Sequence, residues 1–440
     1  MSIEHLHAVP HLTTALTGPL QQIEEHLLQR QPDIEHWFRG QWLKTPPPFY
    51  ASVDLRNAGF KLAPVDTNLF PGGFNNLNPA FLPLCVQAVQ AAAERLCPKA
   101  ARILVIAESH TRNLFYLENL NALTNILEKA GYHVRVGSML PEIVEPTTID
   151  LPSGRKLVLE PLVREGDKLT LPGYLPCMIL LNNDLSGGCP PLLMNLKQPV
   201  LPPLAMGWFN RLKSTHFGHY HQAVQDFAKL IDIDPWLIDP VFRKCGEIDF
   251  QKRAGEDCLV TNVSAVLDEV AAKYRAYGIT SDPFVIVKAD SGTYGMNIMT
   301  VRHPDEVRDL NRKQRTKMAR GKEGLMVADV MVQEGVYTFE TWGEAQAVAE
   351  PVVYMIDRFV VGGFYRVHTS RGVDENLNAP GMHFVPLAFE TPCSLPDCGG
   401  RPDAPPNRFY TYGVVARLAL LAASLELART EPINLEEAAA

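Results

Sequence analysis

A lysine followed by a glycine-containing polar loop is the stretch of the sequence that most clearly suggests chemistry. In FVIVKADSGTYGMNIMTV (residues 284–301), apolar residues typical of β-strands precede Lys288, a loop of small polar residues follows, and a second β-rich run ends the segment. The pattern predicts a strand, a polar loop and a second strand. Four loop residues can offer backbone N–H groups to a polyphosphate beside the lysine ammonium: Ser291, Gly292, Thr293 and Gly295. We therefore predict a phosphate-binding loop, although a hairpin whose lysine only reaches solvent has the same pattern.

The two commonest nucleotide-binding loops are absent from the sequence. Neither GxxxxGK[ST] nor GxGxxG occurs. A lysine at the end of a buried strand is costly unless its ammonium reaches a counter-charge. If the chain binds a nucleotide, a different arrangement must therefore hold the phosphates.

Composition limits the class of protein. With 440 residues, of which 46% are hydrophobic and 20% charged, the chain is long enough for two or three domains. Its 41 basic and 49 acidic side chains give a net charge of −8, which argues against a nucleic-acid partner. We find no signal-peptide pattern and no continuous apolar run of membrane-span length, so we expect a cytoplasmic protein without a membrane segment. The eight cysteines show no paired spacing and are expected to be free thiols.

The first half of the chain alternates between strand and helix patterns. Residues 14–43 are helix-like, residues 101–108 form an apolar run of strand type, residues 112–131 have helical periodicity, and HVRVGSML resumes a strand. Such a series predicts an α/β fold with a parallel, Rossmann-like sheet, in which ligands bind beyond the carboxyl ends of the strands. The polar residues at those ends are Glu108, Ser109, His110 and Arg112 after one strand and Asn182, Asn183 and Asp184 after another.

The pattern changes near residue 236. Asn262 or Ser264 can cap a helix that ends at Gly278, and the strand–loop–strand segment follows directly. We predict an N-terminal helical segment over residues 1–50, a Rossmann-like substrate-binding domain over 51–235, and a second domain over 236–440 whose lid spans about 250–335.

The order of features from Lys244 to Asn378 resembles the ATP-grasp superfamily, and within it the glutathione-synthetase-like ligases. FRKCGEIDFQKRAGEDCLVTN is similar to the segment in which an early lysine, here Lys244, precedes an LVT strand. Together with Lys288, this lysine is implied to bind phosphates. VMVQEGV resembles the hinge that contacts adenine, which implies this role for Gln333, Glu334 and Val336. GGFYRVHTSRG resembles the strand that carries the arginine of the acyl-phosphate site, here Arg366.

A closer resemblance covers nearly the whole chain. DTNLFPGGFNNLNP, LVIAESHTRNLFYLENL, ILLNNDLSGG and the glycine loop are together similar to the proteobacterial glutamate–cysteine ligase family. The resemblance implies an ATP-grasp fold with an N-terminal pre-ATP-grasp substrate domain. It also implies that L-glutamate and L-cysteine are joined at the expense of ATP, the first step of glutathione biosynthesis.

That chemistry makes physical demands on the site. A γ-carboxylate attacks the γ-phosphate of ATP, and an amine then displaces phosphate from the acyl phosphate, so no protein nucleophile is needed. The site must supply cations, backbone donors and a divalent metal, here Mg²⁺ or Mn²⁺. We expect Lys288 and Arg366 to be the catalytic cations, with the 290–297 loop closing over the phosphates and excluding water.

The metal ligands depart from the E-x-N arrangement usual in the superfamily. DENLNAPG offers Glu375, Asn376 and Asn378, with Asp357 and Glu350 as further acidic partners. EPIN (431–434) is a second candidate, and DENLNAP is also compatible with a simple polar turn. We predict Glu375, Asn376 and Asn378 as the metal ligands.

The substrates would be bound by amide and charged side chains in irregular segments. DTNLFPGGFNN is dense in glycine, proline and amide residues and is expected to form a shaped loop, unless it is an ordinary turn. Eight residues are expected to bind substrate: Asp66, Asn68, Asn75, Asn76, Glu108, Arg112, Asn183 and Arg366. In HFGHYH, three histidines lie close together, but without a cysteine or acidic partner at ligand spacing we expect surface histidines rather than a zinc site.

Two other functions are compatible with these motifs. Another ATP-grasp ligase, such as a glutathione synthetase, would keep the nucleotide residues and differ in the 54–76 and 182–186 loops. A non-catalytic nucleotide-binding regulatory module would have little use for Arg366 and both lysines, which favours an enzyme. The sequence leaves a homo-oligomer open.

Overall fold

The computed structural model describes residues 12–13, 19–109, 113–292, 298–319, 327–386 and 409–430. The helices of these ranges are α1 (Pro19–Gln29), α2 (Gln31–Lys44), α3 (Leu82–Leu96), α4 (Leu114–Lys129), α5 (Lys213–Ile231), α6 (Glu256–Ala276), α7 (Asp305–Arg308), α8 (Arg312–Ala319) and α9 (Phe409–Arg429). The strands are β1 (Leu12–Thr13), β2 (Tyr50–Asn57), β3 (Leu62–Asn68), β4 (Arg102–Ala107), β5 (His133–Ser138), β6 (Thr147–Asp150), β7 (Lys156–Pro161), β8 (Val163–Glu165), β9 (Lys168–Thr170), β10 (Met178–Asn182), β11 (Val200–Leu201), β12 (Phe242–Cys245), β13 (Val285–Ala289), β14 (Ile298–Val301), β15 (Val330–Glu334), β16 (Glu340–Trp342), β17 (Ala347–Ile356), β18 (Phe359–His368) and β19 (His383–Pro386). The fold is therefore a mixed α/β one.

The strand–helix alternation of the first half forms a mainly parallel sheet. Its strand order is β11-β10-β4-β5-β7-β6. β4 pairs in parallel with β5 on one side and with β10 on the other, and α4 connects β4 to β5. Five of the six residues of β4 are buried, which explains its continuous apolar run, because a central parallel strand is covered on both faces. The predicted β-α-β order is confirmed, whereas the narrower Rossmann-like assignment stays a prediction.

A second sheet combines strands from the N-terminal and C-terminal parts of the chain. β2 pairs antiparallel with β17, which lies about 300 residues later in the sequence, and β3 pairs with β2 at the edge. β16, β18 and β19 complete the same sheet with β1. Residues 50–68 thus belong to the sheet of the C-terminal part of the chain, across the boundary predicted at residue 235.

A third sheet contains the strand–loop–strand segment around Lys288. Its order is β12-β15-β13-β14, with every neighbouring pair antiparallel. β13 and β14 flank the glycine loop, so the predicted strand–loop–strand is confirmed.

The helix beside this sheet begins earlier than predicted. α6 starts at Glu256, directly after Gly255 at φ +74°, and buries Leu259, Val263 and Val266 on one face. The predicted LVT strand is therefore wrong, because residues 259–261 lie inside α6, and Asn262 is a helix-interior residue rather than a cap. Three apolar or β-branched residues in a row fit either state, and packing decides between them.

The C-terminal helix α9 is a core element. By length and composition, Tyr410–Arg429 could cross a membrane, contrary to the expectation of no such segment. However, 83% of its most apolar 18-residue window is buried within the fold. Arg417 in this helix pairs with Glu35 at 2.7 Å and stacks over Phe38. An internal ion pair and near-complete burial are the properties of a helix that packs inside a protein.

Candidate active site

Residues from all three larger sheets line one cavity of about 420 Å³. This volume is within the usual range for small-molecule sites. Most of the predicted site residues line it: Asp66, Asn68, Asn75, Asn76, Glu108, Lys288, Ser291, Gly292, Gln333, Glu334, Val336, Arg366, Asn376 and Asn378. Arg112, Thr293 and Gly295 lie outside the described residues. The structure thus brings together segments far apart in the sequence, while their roles toward a ligand remain predictions.

Lys288 is a buried cation held by a backbone carbonyl. It is the fourth residue of β13, and its Nζ donates to the carbonyl oxygen of Val65 at 2.7 Å and lies 5.4 Å from the ring centroid of Phe217. Burial lowers the pKa of Lys288 to about 8, although the nearby carboxylate of Asp66 opposes the shift. An anion in the cavity would supply the counter-charge that this ammonium lacks.

Two carboxylates face each other across the β2–β3 hairpin. Asp54 is the register partner of Asp66, and Asn68 lies two residues beyond Asp66, on the same face of the strand. Burial raises the pKa of Asp54, and the charges of Glu350 and Asp66 raise it further against the effect of Arg366. Burial alone would also raise the pKa of Asp66, but nearby lysine and arginine side chains outweigh it and lower the pKa. The hairpin therefore presents carboxylate and amide oxygens to the cavity, and the carboxylate of Asp54 is also 3.1 Å from Nη1 of Arg366.

Arg366 belongs to a carboxylate–arginine cluster that consists of Asp54, Arg56, Glu350 and Arg366. Arg366 on β18 is the register partner of Glu350 on β17, donates to its carboxylate, and lies 3.1 Å from Oδ2 of Asp54. Glu350 also accepts from Nε of Arg56 at 3.0 Å. Among the described residues, the buried Nε of Arg366 has no hydrogen-bond partner. Arg366 therefore keeps one donor free while carboxylates hold its guanidinium in place.

The predicted adenine hinge uses much of its hydrogen-bonding capacity within the protein. The carboxylate of Glu334 accepts from Nζ of Lys61 at 2.8 Å, from Nε1 of Trp236 at 3.2 Å and from the backbone N of Val241 at 3.0 Å. Its carboxylate therefore anchors the strand, so a contact of Glu334 with the base would come from its backbone and stays a prediction. Gln333 differs, because its Nε2 is buried without a hydrogen-bond partner in the described part of the chain and its side chain borders the cavity.

Three predicted residues in the described ranges do not line the cavity: Lys244, Asn183 and Glu375. Lys244 lies on the edge strand β12 with a side chain that is 43% exposed, and its Nζ is 3.5 Å from the carboxylate of Asp290. Asn183 uses its amide to donate to the carbonyl of Ala107 at 3.1 Å and to accept from the backbone N of Leu185 at 3.0 Å. It ties the ends of β4 and β10 together, and its contact with substrate stays a prediction.

Glu375 also points away from the cavity. Its carboxylate accepts from the backbone N of Gly372 at 2.7 Å and from Nη1 of Arg371 at 2.8 Å. The suggested partner Asp357 lies in the turn between β17 and β18 and binds Arg95 at 2.8 Å. These carboxylates thus bind partners outside the cavity, whereas Asn376 and Asn378 border it, and the metal ligands stay a prediction.

The histidine cluster is not a surface feature throughout. His216 is buried, and its Nδ1 lies 3.3 Å from the carboxylate of Glu426 and 3.2 Å from Nη2 of Arg211. His221 lies 2.7 Å from Oδ2 of Asp239. The expectation of surface histidines is therefore wrong for His216, because the N-terminal part of α5 packs its His216 side against α9.

Sequence reasoning missed several cavity residues. Asp54 and Arg56 lie in VDLRN, where two charges alternate with apolar residues in a strand that is almost entirely buried. That alternation was a usable signal, because buried strand charges require partners. Lys213 is also buried and borders the cavity, yet nothing in its local sequence distinguishes it from a lysine on a helix surface.

The architecture and the cavity together define a class of protein. Buried lysines, arginines and carboxylates from distant strands converge on one enclosed space beside a glycine loop, which is the kind of site that binds and transfers anionic groups. A mixed α/β protein with this site belongs among the enzymes of phosphoryl or acyl transfer.

Comparison with known proteins makes the assignment specific. The family model described as "Glutamate-cysteine ligase" matches residues 24–427. The chain therefore belongs to the glutamate–cysteine ligase family, as its motifs predicted. It is a ligase of glutathione biosynthesis, and the family implies glutamate, cysteine and ATP as substrates.

A solved structure agrees with this assignment. A protein of Methylobacillus flagellatus KT, described as a "Putative gamma-glutamylcysteine synthetase", is 63% identical over 96% of this chain and 99% of that chain, with a TM-score of 0.88. A glutathione synthetase-like effector from Globodera pallida (10% identity, 80% and 81% of the two chains, TM-score 0.38) and D-alanyl-alanine synthetase A from Vibrio cholerae (11%, 73% and 81%, 0.33) are much less similar. Those two scores are too low to define a shared fold. A search of curated proteins gave no match.

Proposed function

We propose that the cavity joins the γ-carboxylate of L-glutamate to the amine of L-cysteine through a γ-glutamyl phosphate, in an ATP-grasp arrangement. The observation that carries this proposal is Lys288. Its buried ammonium lies at the root of the glycine loop, in hydrogen-bond contact with the strand that carries Asp66 and Asn68. A cation, backbone donors and oxygen ligands are the components that phosphoryl transfer requires.

The nucleotide would lie between the β12-β15-β13-β14 sheet and the β2–β3 hairpin. Lys288, Ser291 and Gly292 border the cavity at the loop, and the predicted donors Thr293 and Gly295 follow in sequence. The free Nε2 of Gln333 would donate to an acceptor nitrogen of the base. The ion pair between Lys61 and the carboxylate of Glu334 would hold the hinge strand in place.

A divalent cation fits the β2–β3 hairpin. Asp54, Asp66 and Asn68 offer carboxylate and amide oxygens, which Mg²⁺ and Mn²⁺ prefer, and a bound cation would offset the burial and the carboxylate repulsion that raise the pKa of Asp54. No group of three acidic, histidine or cysteine side chains forms a preformed metal site in the described ranges. This agrees with the usual binding of Mg²⁺ by one or two carboxylates together with substrate phosphates. When bound, the metal would neutralise charge on the phosphates, and Asn376 and Asn378 could add amide oxygens.

The chain's own residues would then act by position and charge. An oxygen of the γ-carboxylate attacks the γ-phosphorus, the bond to the bridging oxygen of ADP breaks, and ADP leaves. The amine nitrogen attacks the acyl carbon, phosphate leaves, and the amine loses its proton. Arg366, with its free Nε, and Lys288 would stabilise the negative charge on the acyl phosphate. Glu108, at the carboxyl end of β4, would bind a substrate ammonium group.

A coupled assay of ADP release tests this function. Purified protein is incubated with Mg²⁺ and ATP, glutamate and cysteine are each omitted in turn, and γ-glutamylcysteine is quantified by mass spectrometry. We expect ADP and the dipeptide in equal amounts, and only when both amino acids are present. ADP release that requires γ-glutamylcysteine and glycine would instead identify a glutathione synthetase, and no release with any amine would identify a binding module. A cytoplasmic location is part of the proposal, because reduced thiol substrates are maintained there.

A further inference from the structure

A second buried lysine borders the cavity and has no role in the scheme above. Lys213 is the first residue of α5 and is only 7% exposed. Its Nζ donates to the carbonyl oxygen of Gly292 and lies 4.1 Å from the ring centroid of Trp208. The ammonium therefore contacts the root of the glycine loop, four residues after Lys288.

Lys213 lacks a direct carboxylate partner. Within the described residues, no carboxylate oxygen lies within 4.0 Å of its Nζ, whereas two other buried cations are paired. Lys61 lies 2.8 Å from Glu334, and Arg211 lies 2.9 Å from Glu426. Lys213 and Lys288 share a different environment, made of one backbone carbonyl and one aromatic ring each. Asp66 acts on both lysines from beyond ion-pair distance, and burial still lowers the pKa of each. A buried ammonium without a directly paired anion is costly to maintain, so both positions favour an anionic ligand.

The start of α5 is fixed firmly to the loop. The backbone N of Lys213 donates to the carbonyl of Asp290 at 2.8 Å. Asp290 in turn caps the helix, because its carboxylate accepts from the backbone N of Ser214 at 2.7 Å and from the hydroxyl of Ser214 at 2.6 Å. These bonds fix the backbone of Lys213, and the Gly292 carbonyl and the Trp208 ring hold its ammonium. A preorganised cation stabilises a developing charge without having to reorient.

The location of Lys213 indicates which anion it meets. Its Nζ contacts the loop root at Gly292 on one side and the ring of Trp208 on the other, and the backbone N of Trp208 donates to the carbonyl of Asp184, which borders the cavity after β10. On the proposed function, the loop root lies beside the phosphates of ATP, and the polar residues after β10 lie beside the amino acid. An anion in contact with Lys213 therefore lies where the two reactants meet.

We propose that Lys213 binds an oxygen of the glutamate γ-carboxylate during its phosphorylation, and of the acyl phosphate that forms. This inference rests on the proposed function. The carboxylate oxygen gains a bond to the γ-phosphorus as ADP leaves, and Lys213 remains protonated and transfers no proton. Lys288 would then bind the phosphates of ATP itself. Each lysine thus neutralises a different anion: Lys288 the nucleotide and Lys213 the acyl group.

The test compares Lys213→Met and Lys213→Arg with the wild type and with Lys197→Met, which removes an exposed lysine paired with Asp167 outside the cavity. Three quantities are measured: the Kd of Mg-ATP by equilibrium binding, kcat for ligation, and positional isotope exchange in ATP with glutamate alone, which reports the first step. Lys213→Met should lower kcat and the isotope exchange by about 10²–10³-fold, the usual effect of removing one transition-state donor. Its Kd for ATP should stay within about threefold of wild type, since the nucleotide contacts are unchanged. Lys213→Arg should recover part of both rates.

Two results would overturn the inference. One is a Lys213→Met enzyme that ligates and exchanges at wild-type rates. The other is a loss of ATP affinity as large as that of Lys288→Met, since Lys213 would then be a nucleotide ligand. If Lys213→Met does not fold, by circular dichroism and thermal unfolding, Lys213→Gln and Lys213→Arg are measured in the same way. A wild-type enzyme that uses a different acid would refute the proposed substrates. The kcat and the isotope exchange of the Lys213 variants would then be measured with that acid.

Discussion

Asp54 and Asp66 are direct register partners on the β2–β3 hairpin, and both line the cavity. Burial is the main cause of the raised pKa of Asp54, and repulsion between these two half-buried carboxylates adds to it. The pair is stable at neutral pH because lysine and arginine side chains surround it, and a divalent cation would relieve the remaining charge.

Asp66→Asn should weaken metal binding. The amide keeps the shape of the side chain but loses one negative charge, and a lost charge-assisted contact is worth about 1.5–3 kcal/mol. We expect the Mg²⁺ concentration for half-maximal ligation to rise by about tenfold or more. A Mg²⁺ titration of the ADP-release assay measures this, with Asp150→Asn, an exposed residue of β6, as the control. An unchanged Mg²⁺ requirement would remove the hairpin from the metal site.

Glu375→Gln should leave the same titration unchanged. Its carboxylate binds Arg371 and the backbone of Gly372 outside the cavity, and an exposed ion pair of this kind contributes about 0–1 kcal/mol. We expect the Mg²⁺ requirement and kcat to agree with the wild type. A large shift for this variant, together with none for Asp66→Asn, would restore the metal ligands that the sequence predicted.

The affinity for ATP should fall as the pH rises above 8. Burial lowers the pKa of Lys288 to about 8, so its ammonium is fully present below that pH and is lost above it. Only the protonated form attracts phosphate, and the Kd of Mg-ATP should therefore increase between pH 7.5 and 9.5. Equilibrium binding across this range measures the effect. Lys288→Arg should flatten the curve, because a guanidinium stays charged throughout, and an equally steep curve in this variant would assign the titration to another group.

The Lys61–Glu334 pair should matter for stability rather than for ligand contact. Glu334→Gln leaves a buried ammonium without its counter-charge, and breaking such a pair by removing one partner costs about 3–5 kcal/mol. Chemical denaturation should show a loss on this scale for Glu334→Gln and a smaller one for the double variant Lys61→Met/Glu334→Gln. A fully stable Glu334→Gln that binds ATP poorly would mean that the carboxylate contacts the base after all.

Local patterns in the sequence predicted the parts of the fold that depend on local order. The β-α-β series and the strand–loop–strand around Lys288 follow from periodicity and from glycine placement, and the structure contains both. Residues 259–261 were misread because a short β-branched run fits a helix as well as a strand. Only its packing on the third sheet distinguishes the two.

Contacts between distant segments could not be predicted in this way. The pairing of β2 with β17 joins residues about 300 positions apart, and it places Asp54 beside Glu350 and Arg366. Lys213 reaches the cavity only because α5 begins at the loop root. For Glu375, spacing gave a reasonable metal motif, but the direction of the side chain depends on Arg371 and on a turn whose geometry the spacing does not specify.

The most direct test of the account compares Lys288→Met with Lys197→Met in well-folded samples. The Kd of Mg-ATP and the rate of γ-glutamylcysteine formation are measured for both. We predict that Lys288→Met loses most nucleotide affinity and at least about 10²-fold in ligation rate, as expected when a preorganised cation is removed from a phosphoryl-transfer site, while Lys197→Met matches the wild type. Wild-type affinity and wild-type ligation in Lys288→Met would contradict the central claim that this ammonium binds the phosphates of ATP.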